Sequence, residues 1–222
     1  MADERRIEII PHGPYRVYGG VALSEMAPVH TFNGEPVDWH TLREIETPPG
    51  TYDLCRCGKT GTRPFCDLTH EKRHFDGEET ASRKPYRERA KTWTHDVAML
   101  SDDKPLCFSA GFCGTRTRNV WDLFADSEDP QERALMREMV QRCPSGRITL
   151  SAADGFADEP VFSPSIAILP GGPIWVRGGL TILGTDGRPW EPRNRMTVCR
   201  CGRSSNKPFC DGAHIRAHFD ER

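Results

Sequence analysis

The chain has 222 residues, 36% of them hydrophobic, with 18 Pro, 20 Gly, 9 Cys and a formal charge of −2. The near-neutral charge gives no reason to expect nucleic acid or an anionic membrane as partner, and the mean hydropathy of −0.61 argues against one large core. So much Pro and Gly excludes a fold of long helices, and an odd number of Cys points to metal ligands in a reducing, cytoplasmic setting over a disulfide frame.

At the amino terminus, "MADERRIEII" lacks the apolar run of a secretory signal. "GPYRVYGGVAL" (13–23) is β-branched and aromatic and is broken by Gly19 and Gly20, which predicts strand segments with a bend. "TYDLC" predicts a strand that delivers Cys55, followed by a loop with Cys57, Cys66 and His70. Asp67 is expected as a helix N-cap, with His70 in the first turn of a short helix. The polar stretch "GEETASRKPYRERAK" (77–91) reads as a linker or exposed loop. Cys107 and Cys113 follow, and then a helix is predicted over 128–142, with Asp129 as N-cap, Pro130 at the first position and Glu132 as capping-box partner. Leu135, Met136, Met139 and Val140 lie on one face at helical spacing, read as packing. Cys143 closes this segment, and "SIAIL" (165–169) is apolar but far too short to cross a bilayer. "IWVRGGLTILG" repeats the broken strand pair, "GTDGRPWEP" carries an Asp-Gly turn signal, and "MTVC" predicts the strand that delivers Cys199.

Cys55, Cys57, Cys66 and His70 reappear 144 residues later as Cys199, Cys201, Cys210 and His214. Upstream, 13–23 matches "GPIWVRGGLTI" (172–182) at an offset of 159, so the first copy carries 15 extra residues before its first Cys. Two blocks in the same order point to an internal duplication.

Three thiolates and an imidazole are a donor set for tetrahedral zinc, but structural zinc sites favour C-x₂₋₄-C knuckles, and both copies here have C-x-C. One intervening residue suits two sulfurs on the same iron of a two-iron cluster, with the third Cys and the His on the other iron. A neutral His in place of a fourth thiolate leaves a [2Fe–2S] core less negative and easier to reduce. Its second ring nitrogen couples redox state to pH. The zinc-stabilised interaction module stays open as the alternative. His74 and His218, four residues after the proposed ligands in both copies, are alternative imidazoles.

The pattern C-x-C-x₂-[ST]-x₃-P-x-C-D-G-[SAT]-H resembles the signature of the CDGSH iron–sulfur (NEET) family. The second copy matches at Cys199, Cys201, Ser204, Pro208, Cys210, Asp211, Gly212, Ala213 and His214. The first matches at Cys55, Cys57, Thr60, Pro64, Cys66, Asp67, Thr69 and His70, with Leu68 in place of the family's Gly. The resemblance implies an α+β, β-rich fold of two units, each a β-cap with a cluster loop and short helix, in an intramolecular pseudo-two-fold arrangement. It implies a [2Fe–2S] cluster in each copy, two per chain, held by Cys55, Cys57, Cys66 and His70 and by Cys199, Cys201, Cys210 and His214. It also favours His70 and His214 over His74 and His218, and it implies electron or cluster transfer to a redox or apo-acceptor protein, without enzyme activity. One-motif members form homodimers, so a monomer with an internal pseudo-dimer is expected. The units are drawn as 1–78 and 161–222, with a partly helical middle segment at 79–160.

Cys107, Cys113 and Cys143 resemble a divergent ferredoxin-like segment, with Ser109 where a His is expected and no fourth Cys. Three thiolates support an iron–sulfur centre with an open or non-Cys position. Against that stands a degenerate segment whose thiols are merely buried, which the ligand shortfall favours. Lys59, Arg63, Arg203 and Lys207 read as solvated loop charges, and His12, His30, His40 and His95 have no repeat counterpart or ligand spacing.

Overall fold

A computed structural model describes residues 5–95, 98–152 and 158–219. The first half supplies β1 (Arg6–Ile9), β2 (Tyr15–Tyr18), β3 (Ala22–His30), β4 (Pro36–Ile45), β5 (Thr51–Leu54) and the single-turn α1 (Thr69–Lys72). The middle contains α2 (Tyr86–Arg89), β6 (Lys91–His95), β7 (Ala98–Asp102), α3 (Val120–Asp126), α4 (Pro130–Gln141) and β8 (Ile148–Ala152). The second half supplies β9 (Ser165–Ile168), β10 (Ile174–Arg177), β11 (Thr181–Leu183), β12 (Arg195–Val198) and α5 (Ala213–Arg216).

The halves exchange strands. β1, β2 and β5 pair antiparallel and are completed by β11 from the second half, parallel to β1. Likewise β9, β10 and β12 are completed by β3 from the first half, parallel to β9. Arg6 faces Thr181 and Ser165 faces Ala22, so the 159-residue offset of the repeat maps one exchange onto the other. That is the predicted pseudo-two-fold. It also corrects the expectation of small separate cores. Alternate residues of the exchanged strands point inward, and Ile7, Val17, Leu54, Ile166, Val176 and Val198 belong to one apolar cluster shared by both halves. Low overall hydropathy hid this because the exposed residues of the loops and β4 dilute the average.

The extra residues of the first copy lengthen β3 and form β4, a hairpin on the outer edge of the second sheet. Trp39 on β4 stacks on Phe112 at 5.0 Å between ring centroids, lies 5.2 Å from Trp175, and donates from Nε1 to Arg142 O at 2.9 Å. The insertion therefore clamps the middle segment onto the second half. That segment has its own core of Leu100, Leu123, Met139, Val140 and Ile148 between the β6–β7–β8 sheet and α3 and α4. α4 starts as predicted, with Asp129 accepting Gln131 N–H at 2.9 Å. Glu132 does not close a capping box, because Arg118 engages it at 3.1 Å, and Leu135 lies off the packing face at 39% exposure.

The polar stretch 77–91 is not a free loop. The Thr80 and Ala81 amides donate to Lys207 O at 2.8 and 2.9 Å, and buried Tyr86 donates to Ser101 O and Arg147 O at 3.0 and 2.8 Å. Its polar side chains share in the attachment: Glu79 accepts from Trp190 Nε1 and Thr185, and Arg89 pairs with buried Asp103, so a polar composition here means bonded rather than solvated. Among the described residues, no helix is long and apolar enough to cross a membrane.

Candidate metal centre

β5 and β12 end at Leu54 and Val198 and deliver the buried Cys55 and Cys199. Each loop then folds back on its strand: Cys55 N–H donates to Pro64 O and Cys66 N–H to Asp53 O, both at 2.9 Å, and the second half repeats both contacts with Pro208 O and Thr197 O. The hydroxyls of Thr60 and Ser204 donate to Phe65 O and Phe209 O at 2.7 Å, which fixes the loop width. Asp67 sits one residue before the expected cap position, and Asp211 takes the same place in the second copy. Leu68 (φ 66°) and Gly212 (φ 82°) occupy the cap positions in the left-handed region. That turn aims each carboxylate back across its loop. Asp67 accepts from Gly61 N–H at 2.8 Å and Thr69 N–H at 3.0 Å, and Asp211 accepts from Ser205 N–H and Ala213 N–H at 2.9 and 3.0 Å.

The candidate ligand atoms meet in pairs. Cys55 Sγ lies 3.6 Å from Cys57 Sγ, and Cys199 Sγ 3.8 Å from Cys201 Sγ. Cys66 Sγ lies 3.3 Å from His70 Nδ1, and Cys210 Sγ 3.4 Å from His214 Nδ1. Two sulfurs bound tetrahedrally to one metal at ~2.3 Å each stand about 3.7 Å apart, and a sulfur–nitrogen pair stands slightly closer. Each pair thus fits one edge of one metal's shell. Among the described residues, no three Cys, His, Asp or Glu side chains group as ligands of a single ion.

Within each C-x-C pair the shared hydrogen bond holds one thiol down and, with burial, pushes its partner, Cys57 or Cys201, up. The hydrogen bond from Cys57 draws the Cys55 thiol down to about 5 against the opposing effect of burial, with the Thr60 and Gly58 amides adding to it. Cys201, Ser204 and Gly202 do the same for Cys199, which lies at about 6. Burial pushes Cys66 and Cys210 up, while the Leu68 and Gly212 amides aimed at them pull the other way. Bound metal removes these protons outright.

The two loops touch at the pseudo-axis. Gly58 and Gly202 have φ of 75° and 73°, and a Cβ on either would lie 2.8 Å from the other loop's backbone, at Cys201 O and Cys57 O respectively. Buried Arg56 donates to Gly13 O at 2.9 Å and Ile10 O at 3.1 Å, and buried Arg200 donates to Gly172 O at 3.1 Å and Leu169 O at 2.8 Å. Tyr15 Oη donates across the halves to Cys199 O at 2.9 Å and Pro208 O at 3.1 Å. Sequence reasoning gave no role to these arginines and glycines, although their recurrence in both copies was the available signal.

The halves differ in their cover. Cys210 is 2% exposed, the Phe108 and His214 rings lie 6.2 Å apart, and a Cβ on Gly212 would stand 3.3 Å from Cys107 O. In the first half, Cys66 opens on a cleft of about 570 Å³ with Tyr52, Asp53 and Phe65, and Leu68 is 55% exposed. A Leu is therefore sterically tolerated at position 68, at the cost of a left-handed φ. Leu68→Gly relieves that strain and loses little burial, so chemical denaturation should show a gain of at most about 1 kcal/mol after the looser unfolded chain is counted. His74 and His218 are exposed and are not brought to the sulfurs; Lys59, Arg63 and Arg203 are exposed as expected, whereas Lys207 is half-buried, its backbone bonded to Thr80 and Ala81. All nine Cys are free. Burial pushes the Cys113 thiol up, with the Cys143 charge adding to it and Arg147 opposing.

The family described as iron-binding zinc finger CDGSH type matches residues 12–71 and 171–215, and a divergent 4Fe-4S mono-cluster family matches residues 94–153 between them. No curated protein and no solved structure matches the chain. With both motifs and the segment between them accounted for, the chain is an iron–sulfur binding member of the CDGSH family, carrying two copies of its motif around a divergent ferredoxin-like middle.

Proposed function

We propose that each half holds one [2Fe–2S] cluster, through Cys55, Cys57, Cys66 and His70 and through Cys199, Cys201, Cys210 and His214. In this reading the chain carries single electrons, or whole clusters, to a protein partner in the cytoplasm. The observation that carries it is the pairing of ligand atoms, 3.6 Å and 3.3 Å within the first half, which suits two irons in place of one ion. When bound, such a cluster takes up and returns one electron, more readily with one imidazole than with four thiolates.

The chain's own residues supply the rest. Loop amides stabilise the thiolates, and each His turns Nδ1 to its Cys partner, leaving Nε2 to exchange a proton and link redox to pH. The open cleft at Cys66 gives a redox or apo-acceptor protein its approach to the first half. No substrate is transformed; the chain is a carrier and acts as a monomer, since its halves already supply each other's strands.

The protein purified without oxygen should be red-brown with sulfide-to-iron absorption. His70→Cys combined with His214→Cys should lower the reduction potential and flatten its dependence on pH. A colourless protein with stoichiometric zinc would sink this reading in favour of a structural zinc module.

A further inference from the structure

We infer that the chain meets its redox partner on one face only. The surface of the first half around Cys66 and Leu68 docks an acidic one-electron carrier protein, and the second centre is served from there, across the contact between the two loops. The route builds on the two-cluster reading and adds an entrance and a direction to it.

The two centres are not equally reachable. Their imidazoles are alike, with His70 9% and His214 7% exposed, so the difference lies on the Cys side. Cys66 is half-buried and opens on the cleft beside Tyr52 and Phe65, and the turn at Leu68 stands in solvent. The matching turn of the second half is roofed. A Cβ on Gly212 would meet Cys107 O at 3.3 Å and both Phe108 Cα and Ser109 Oγ at 3.6 Å. Phe108 packs in one apolar cluster with Cys210 and Trp175. Phe112, in the same loop, stacks on Trp39 and fixes the roof to the β4 hairpin.

Cover that stops a protein need not stop an electron. Gly58 and Gly202 bring the two loops into backbone contact, with Cys201 O and Cys57 O where the opposite glycine would carry a Cβ. Cys57 and Cys201 are both proposed ligands, so the route between centres runs through two ligand residues and one non-bonded step. In one passage the reduced carrier loses an electron and the first cluster gains it. The first cluster then passes that electron to the oxidised second cluster and is oxidised again, ready for the next. No bond is made or broken.

Charge indicates the kind of carrier. Lys59, Arg63, Lys72 and Arg73 are exposed on the first loop and its helix, against Asp67 and Glu71. An excess of positive charge steers an acidic partner. Charge does not choose the half, since Arg203 and Arg216 are also exposed; the roof does.

Reduced flavodoxin, an acidic flavin protein, is the probe, mixed without oxygen at low salt with the full chain and with Leu68→Asp and Ile215→Asp. Each substitution puts one negative charge at an exposed apolar residue, one beside each centre, and leaves every proposed ligand in place. Asp also tolerates the left-handed φ at position 68 better than Leu does. Freeze-quench paramagnetic resonance follows each cluster, with the signals assigned by their shifts in His70→Cys and His214→Cys. Leu68→Asp should slow reduction of both clusters severalfold and by the same factor, while Ile215→Asp slows neither. Hydrogen exchange with oxidised flavodoxin present should show protection at residues 51–68 and none at 209–216. Slowing of each cluster only by the substitution beside it, slowing of both by Ile215→Asp, or no slowing at all would overturn the single entrance, as would protection at 209–216. A full chain lacking two [2Fe–2S] signals would overturn the two-cluster reading itself, a failure visible before any carrier is added.

Discussion

Gly202→Ala is expected to cost about 2–5 kcal/mol and to deplete iron in both halves together. A left-handed φ of 73° charges any L side chain, and here the added methyl also meets Cys57 O at 2.8 Å. A backbone carbonyl at the seam has no rotamer by which to withdraw, and Cys57 is itself a proposed ligand of the other half. Gly58→Ala presses on Cys201 O, C and Cα at 2.8, 2.9 and 3.0 Å and should act the same way. Gly179→Ala is the control. Its φ is 72°, yet among the described residues nothing lies within 4 Å of the new Cβ, so only the strain of about 1–2 kcal/mol is expected. Denaturant unfolding with iron analysis reads both variants, and equal losses for Gly202→Ala and Gly179→Ala would mean that the two loops are not in close contact.

Arg195→Met should cost about 3–5 kcal/mol, although it conserves most of the volume. The side chain is 1% exposed. It donates to Val140 O, Gln141 O and Cys143 O at 2.7, 3.0 and 2.8 Å, and it meets the Glu159 carboxylate at 2.7 and 2.6 Å. Those carbonyls lie at the end of α4 and in the turn just after it, where a helix has no internal donors left. Removing the guanidinium takes a short donor from all three, leaving Val140 O and Cys143 O only the longer 3.2 Å bonds from Cys143 N–H and Gly146 N–H, and leaves Glu159 without its cation. β12 carries Arg195 and delivers Cys199, so the damage should fall on the second half and the middle segment, sparing the first half's optical bands. Adding Glu159→Gln to Arg195→Met should recover part of the loss, as urea unfolding would show. No recovery would mean that packing, and not the uncompensated charge, sets the cost.

The proposed ligands and the duplication were legible because metal chemistry restricts residue type and spacing within a short loop, as in Cys199 to His214. The strand exchange was not. β3 and β11 carry ordinary strand patterns, and nothing local in "VAL" or "LTI" says that the partner lies in the other half. Arg56 and Arg200 stood out as repeated, but their task depends on carbonyls of a turn more than 25 residues upstream. The departure at Leu68 was visible as a residue, while its reason was not: the loop at Cys107 and Phe108 covers position 212 and leaves position 68 open. Likewise Tyr86, in a stretch too polar to read as packed, ties the start of the middle segment to its sheet through two backbone carbonyls.

Iron K-edge X-ray absorption on the zinc-free, anaerobically prepared Cys107→Ser, Cys113→Ser, Cys143→Ser variant, in which only the two CDGSH loops retain Cys, tests the pairing of ligands most directly. Each iron should show sulfur neighbours, a minor nitrogen contribution and a short iron–iron scattering path. Iron with no second iron nearby, or metal sites that fill only with zinc, would contradict a bridged pair held between Cys55 and His70 and between Cys199 and His214.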